Sequence, residues 1–162
     1  MQLNVLLELL NKNNVDHLIA GGYARDIHFG IVPKDIDIFV SSIQHAKSIL
    51  DSIGAEYEEY ESYCKVPENY IQGVIKLGDV DIVGISASAA SPLQHVQQCF
   101  DYNINQFVIL NDVPVFVGKD YGTLTCVRGG NPFKCGRTTY VEEKATTLGW
   151  KLLSREELDI FG

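Results

Sequence analysis

Positive charge is scarce in this chain: 13 lysines and arginines stand against 21 aspartates and glutamates, a formal net charge of −8 over 162 residues. Neutralising a nucleic-acid backbone takes several clustered basic side chains, so the balance works against a large phosphate-binding surface. The deficit is uneven. Residues 1–118 carry 6 basic and 15 acidic side chains, net −9, whereas residues 119–162 carry 7 and 6, net +1. An anionic partner would dock on that last, more basic portion. There, "RGGNPFKCGR" (128–137) sets Arg128, Lys134 and Arg137 on a Gly- and Pro-containing loop, which reads either as a solvated surface loop or as a phosphate contact.

Cysteine is also sparse. Cys64, Cys99, Cys126 and Cys135 lie far apart with no C-x-x-C, which argues against a disulfide framework and for reduced, mostly buried thiols. Cys126 with Cys135 is the one pairing to weigh for a metal, and with no histidine near them a zinc site is not expected. There is no apolar run of membrane-spanning length, and "MQLNVLLELLNKNN" has neither a basic region nor a cleavage site. The expectation is a cytoplasmic protein, neither exported nor in a membrane. Repeats, linkers and low-complexity tracts are missing too, so one domain over 1–162 is expected, long enough to bury a core without staples.

What is present is an alternation of helix and strand patterns. Leu3, Leu6, Leu7 and Leu10 recur at i, i+3, i+4, i+7 and predict an amphipathic helix. "VDHLIA" (15–20) reads as a buried strand, Gly21 and Gly22 interrupt it, and "YARDIHF" continues as a helix that Gly30 and Pro33 end. "DIDIFV" (35–40) alternates as a second strand. Ser41 or Ser42 caps a helix whose face is Ile43, Ala46, Leu50 and Ile53, closed by Gly54. After an acidic, tyrosine-rich stretch with a strand at its start and a loop around Pro67, "IQGVIKLGDVDIVGI" (71–85) gives two strands joined at Gly78 or one bent strand. Ser91-Pro92 opens a helix with Gln94 at the capping-box position, "INQFVIL" and "VPVFVG" form a hairpin across Asn111-Asp112, and helices begin near Thr139 and Ser154. The predicted class is α/β: one mixed central sheet flanked by helices, with a cleft along one sheet edge.

The chemistry sits on the strands. Side chains alternate faces, so Asp35 and Asp37 point to one side and Ile36 and Ile38 to the other, placing two carboxylates roughly 6 to 7 Å apart along one strand. They repel unless a cation lies between them, and oxygen-only ligation suits Mg²⁺ or Mn²⁺. A third acid would complete a site for in-line phosphoryl displacement, and "GDVDIVGI" supplies it. Asp81, between Val80 and Ile82, is the more committed strand position; Asp79, next to Gly78, also reads as a turn residue. A Gly-Gly between strand and helix lets backbone approach a ligand where the helix N-terminus favours phosphate, a triphosphate cradle 13 residues before Asp35.

"GGYARDIHFGIVPKDIDIFV" (21–40) resembles the signature of the nucleotidyltransferase superfamily, specifically the head domain of class II CCA-adding enzymes and bacterial poly(A) polymerases. Their pattern GGxxRDxxxGxxxxDxD is met at Gly21, Gly22, Arg25, Asp26, Gly30, Asp35 and Asp37 without a gap. The resemblance implies that Gly21 and Gly22 contact a nucleoside triphosphate and that Asp35, Asp37 and Asp81 bind metal. Arg25 is either a phosphate contact or a structural partner of Asp26, and Lys34 either neutralises phosphate or is solvated. An arginine usually follows the third motif glycine, but here Ile31 stands there. The likeness covers about residues 15–85; the family's nucleobase-selecting segment and helical tRNA-binding body have no counterpart in these 162 residues. Small toxin, antitoxin and drug-modifying nucleotidyltransferases typically begin the motif with Gly-Ser instead.

The implied activity is metal-dependent transfer of a nucleoside monophosphate from an NTP to an acceptor hydroxyl of RNA or tRNA, a protein or a small molecule. The alternative is a non-catalytic module of this fold that binds a nucleotide or a protein. Asp101 reads as a turn residue or a supporting acid, Tyr57, Tyr60, Tyr63 and Tyr70 as packing or base-stacking residues, and His28 as packed or at the surface, since a metal-activated hydroxyl needs no histidine base.

Overall fold

Seven strands in one sheet and five α-helices make up the computed structural model, which describes residues 1–60, 71–127 and 138–153. Helix α1 (Leu3–Lys12) precedes β1 (His17–Ala20), and α2 (Gly22–His28) leads to β2 (Ile36–Val40) and α3 (Ile43–Ser52). Then come β3 (Glu58–Tyr60), the hairpin β4 (Gly73–Leu77) and β5 (Val80–Gly84), and α4 (Pro92–Cys99). A 3₁₀ turn (Asn103–Asn105), the hairpin β6 (Phe107–Leu110) and β7 (Val113–Phe116), and α5 (Thr138–Thr147) complete the order. The 71–85 stretch is therefore two strands turning at Gly78, with φ of +62° there. Asn111 and Asp112 take φ of 51° and 64°, the left-handed pair that a two-residue hairpin turn requires.

Across the sheet the strands run β3-β4-β5-β2-β1-β6-β7, and β2 with β5 is the parallel pair among antiparallel neighbours. The mixed α/β architecture is the one expected. One expectation about placement changes: the aspartate strands β2 and β5 are interior to the sheet, not along an edge.

Strand alternation sorts the core. Ile38, Val40, Ile75 and Ile82 pack on one face against Leu6 and Leu10 of α1 and Ile43, Ala46, Ile49 and Leu50 of α3. Each such fully buried valine, leucine or isoleucine side chain contributes roughly 1.5–3 kcal/mol. Ile53, read from the sequence as part of the α3 face, is instead 47% exposed, because the helix ends at Ser52 and Ile53 is its C-cap; Ile49 takes that place in the core. Ser42 is the N-cap and accepts from the His45 N–H, while Ser91 caps α4 through the Gln94 N–H. Gln94 Oε1 in turn accepts from the Ala90 N–H at 2.5 Å.

On the opposite face Ala20, Phe39, Val74, Val83, Val108 and Val96 of α4 form a second cluster. A third joins Ala24 of α2, Phe107 and Trp150 with Val141 and Ala145 of α5. Among the described residues no helix is long and apolar enough to cross a membrane. The readings made for Tyr63, Tyr70, Cys64, Cys135, the 128–137 loop, the Pro67 loop and the Ser154 helix fall outside the described residues.

Candidate functional site

Asp37 lies in β2 with Ile36 and Ile38 on its two sides, and both isoleucines belong to the cluster under α1 and α3. Alternation therefore turns Asp37 to the other face, where Phe39 also points. In β5 the same logic applies: Val80 and Ile82 go to the first cluster, and Asp81 and Val83 to the second face. Because β2 and β5 pair in parallel with Asp37 opposite Asp81, two carboxylates from separate parts of the sequence become lateral neighbours. Adjacent strands lie about 4.8 Å apart, so these two are closer than neighbours along one strand.

The row continues on both sides. Ala20 is the register partner of Asp37 in β1, Lys76 that of Asp81 in β4, and Glu58 that of Lys76 in β3. One face of the sheet thus carries Ala20, Asp37, Asp81, Lys76 and Glu58 side by side. The Lys76 Nζ stands 3.6 Å from Asp81 Oδ1, with side chains 44% and 14% exposed respectively. The Asp81 charge, and less strongly that of Asp35, holds the Lys76 ammonium above its ordinary range, against a smaller downward pull from burial than Asp81 exerts upward.

Asp35 is exposed and precedes the first residue of β2, so it flanks the row instead of standing in it. Asp79 occupies the β4–β5 turn, is exposed, and its carbonyl accepts the Ile36 N–H at 3.0 Å. Of the two candidates in "GDVDIVGI", Asp81 is the one that faces Asp37. Among the described residues, no group of three or more His, Cys, Asp and Glu side chains is arranged to hold a metal ion.

The Gly-Gly turn abuts this row. Gly21 is the N-cap of α2 with φ 84° and ψ −144°, its N–H donates to the Phe107 carbonyl at 2.9 Å, and its carbonyl accepts from the Arg25 N–H. A Cβ at Gly21 would lie 3.8 Å from Asp37 Oδ2, so the backbone of the turn and the carboxylate share one small space. Gly22 opens α2, where a Cβ would meet Arg25 Nη2 at 3.2 Å.

Arg25 is buried, 4% exposed. Its Nε donates to Asp26 Oδ1 at 3.0 Å and its Nη1 to Asn105 Oδ1 at 2.7 Å, so the guanidinium ties α2 to the 3₁₀ turn. Lys34 is exposed on the segment leading to β2, as Val32 is, and Ile31 is half-buried there. Asp101 Oδ1 accepts the N–H of Tyr102, a local turn contact. His28 Nε2 is 2.9 Å from the Tyr121 hydroxyl within a cluster of aromatic rings that includes Phe29 and Phe107. Tyr57 and Tyr60 donate to Asp51 and Glu58 respectively, each at 2.5 Å.

Sequence reasoning missed two members of this neighbourhood. Lys76 had a signal, as the lone charge in "GVIKL" on the alternation that matches Asp81. Asn105 had none, because its meeting with Arg25 spans 80 positions.

Neither a protein-family model nor a curated protein sequence matches the chain. Solved structures do. A CCA-adding enzyme in complex with ATP is similar at 16% identity, with 94% of this chain and 38% of that chain covered and a TM-score of 0.61. The Bacillus stearothermophilus CCA-adding enzyme in complex with CTP is similar at 15%, covering 96% and 41%, with a TM-score of 0.59. A tRNA nucleotidyltransferase complexed with a primer tRNA and an incoming ATP analogue is similar at 22%, covering 94% and 48%, with a TM-score of 0.51. At these identities the likeness is one of fold, and this chain has the nucleotidyltransferase fold seen in those enzymes. It spans less than half the length of each of the three.

Proposed function

We propose that the chain is a metal-dependent nucleotidyltransferase, moving a nucleoside monophosphate from an NTP to an acceptor hydroxyl with release of pyrophosphate. The observation that carries this reading is the pairing of Asp37 with Asp81 across β2 and β5, with the Gly21 backbone against Asp37 Oδ2. The donor set fits the proposed ion. Mg²⁺ keeps several waters and takes one or two carboxylates plus substrate phosphates, so Asp37 and Asp81, with Asp35 beside them, suffice for Mg²⁺ or Mn²⁺ without a closed protein cage. When bound, the ion supplies charge neutralisation at the phosphate and lowers the pKa of the acceptor hydroxyl.

The remaining work belongs to the chain. Gly21 and Gly22 leave room for the triphosphate to approach the start of α2, whose first-turn N–H groups have no intrahelical partner. Arg25, bound to Asp26 and Asn105, positions that turn, and Lys34 is exposed and able to meet phosphate. The acceptor hydroxyl releases its proton to solvent as its oxygen bonds to the α-phosphorus, and the α–β bridging oxygen leaves with pyrophosphate. Candidate acceptors are an RNA or tRNA 3′ end, a protein or a small molecule, in the cytoplasm where NTP is abundant. A second reading, a non-catalytic nucleotide- or protein-binding module of the same fold, is favoured by the exposed position of Asp35 outside the row.

The test is to incubate the protein with each labelled NTP, Mg²⁺ or Mn²⁺, and pools of RNA, protein and small molecules, then to repeat it with Asp37→Ala. Label transfer and pyrophosphate release are expected, reduced at least about a hundredfold in the variant, the scale on which removal of one electrostatic stabiliser acts. No product in any mixture sinks the catalytic reading, and product that survives the substitution sinks the residue assignment.

A further inference from the structure

Lys76 adds a third charge to the two carboxylates. It is the register partner of Asp81, its Nζ is 3.6 Å from Asp81 Oδ1, and Asp81 is itself the register partner of Asp37. A positive group is therefore already seated beside the oxygens that the proposed divalent ion would use. An ammonium and a divalent cation cannot share a carboxylate oxygen without strong repulsion, whereas each alone relieves the crowding of Asp35, Asp37 and Asp81. The side chain of Lys76 is 44% exposed on a flexible four-carbon stem, so its ammonium can swing away from Asp81.

We propose that Lys76 is a resident counter-cation of the site: it pairs with Asp81 in the metal-free protein and is displaced when a divalent ion binds. This rests on the metal-dependent reading above and makes Lys76 a positioning residue, acting through Asp81. Two consequences follow. The carboxylates stay aligned without metal because their repulsion is offset from within the chain. Free metal binds weakly because it must displace a cation, while metal arriving with a triphosphate meets less opposition, since the released ammonium gains phosphate oxygens to pair with. The neighbouring Glu58, the register partner on the far side of Lys76, gives the displaced ammonium a second anionic landing place.

Mn²⁺ binding to the intact protein tests this without any turnover. It is measured by electron paramagnetic resonance on the wild type, Lys76→Met, Lys76→Gln, Lys76→Arg and Asp81→Asn, with folding of each checked by circular dichroism. Lys76→Met and Lys76→Gln are expected to tighten Mn²⁺ by roughly tenfold, the effect of removing one unit charge about 6 Å from a divalent ion at near-water dielectric. Lys76→Arg, which keeps the charge, should stay near wild type, and Asp81→Asn should lose the site. In chelator the two neutral variants should also melt below wild type, and added Mn²⁺ should close that gap. Unchanged or weaker Mn²⁺ binding in both neutral variants, with the site still lost in Asp81→Asn, overturns the counter-cation role and leaves the nucleotidyltransferase reading standing. No carboxylate-dependent Mn²⁺ site in any variant, with or without a non-hydrolysable NTP analogue present, overturns both.

Discussion

Replacing Gly21 by alanine should destabilise the protein by about 1–3 kcal/mol, whereas the same change at Gly22 should cost less than about 1 kcal/mol. The two glycines are equivalent in the sequence and different in space. Gly21 holds φ 84° and ψ −144°, a region that residues with a Cβ scarcely enter. It is pinned there from both sides, by its N–H on the Phe107 carbonyl and by its carbonyl on the Arg25 N–H. An alanine must either accept the strained conformation or turn the peptide and lose hydrogen bonds of about 1 kcal/mol each. Contact is not the source of the penalty, because the new methyl would sit an ordinary 3.8 Å from Asp37 Oδ2.

Gly22 lies within α2, where alanine is favoured over glycine by up to about 1 kcal/mol. That gain is offset by a 3.2 Å approach to Arg25 Nη2, which asks a buried guanidinium to shift by a few tenths of an ångström. Urea unfolding of the two single variants measures the difference as a change in midpoint at constant slope. In a domain of this size the Gly21→Ala loss corresponds to a melting temperature lower by roughly 2–4 °C per kcal/mol. A Gly21→Ala protein as stable as wild type, or a Gly22→Ala protein equally damaged, would refute the backbone argument.

The buried Arg25 gives a second prediction. Asn105→Leu removes the acceptor 2.7 Å from Nη1 and should cost about 1.5–3 kcal/mol by denaturant unfolding, with Asn105→Asp restoring most of it; equal losses in both would show that the hydrogen bond is not what matters. Tyr57 gives a third, in pH. Its hydroxyl donates to Asp51 and its pKa is pushed up from 10.0 to about 12, chiefly by that hydrogen bond. A folded-state value above the unfolded one means that this contribution to stability is complete below pH 10 and lost as the pH rises toward 12. Ultraviolet titration should show Tyr57 ionising late alongside Tyr60, which its own hydrogen bond to Glu58 also raises, and Asp51→Asn should return Tyr57 alone toward the ordinary range; an unchanged curve in that variant would remove the assigned cause.

Much of the fold was legible because its signals are local. The α1 leucine spacing, Ser42 and Ser91 as caps, Gly78 and Asn111-Asp112 as turns are each set by a few consecutive residues, and each stands where the sequence puts it. Ile53 failed for a reason just as local in kind: periodicity extends a face past a helix end that only the C-cap geometry marks. Arg25 was ambiguous between phosphate and Asp26 because its second partner, Asn105, is remote in sequence. Lys76 signalled its face but not its place beside Asp81, because strand alternation assigns a face and not a neighbour.

By itself the sequence determined which side chains leave the core. Period-two alternation in "DIDIFV" and "GDVDIVGI" sends Ile36, Ile38, Val80 and Ile82 one way and Asp37 and Asp81 the other, a property of the extended backbone that needs no knowledge of the rest of the chain. Tertiary structure alone decided what those aspartates meet. The parallel register of β2 on β5 sets Asp37 against Asp81 and puts Lys76 on the next strand, while the β1–α2 turn brings Gly21 to Asp37. Such pairings depend on strand order and register, which many distant contacts settle together and no local stretch encodes.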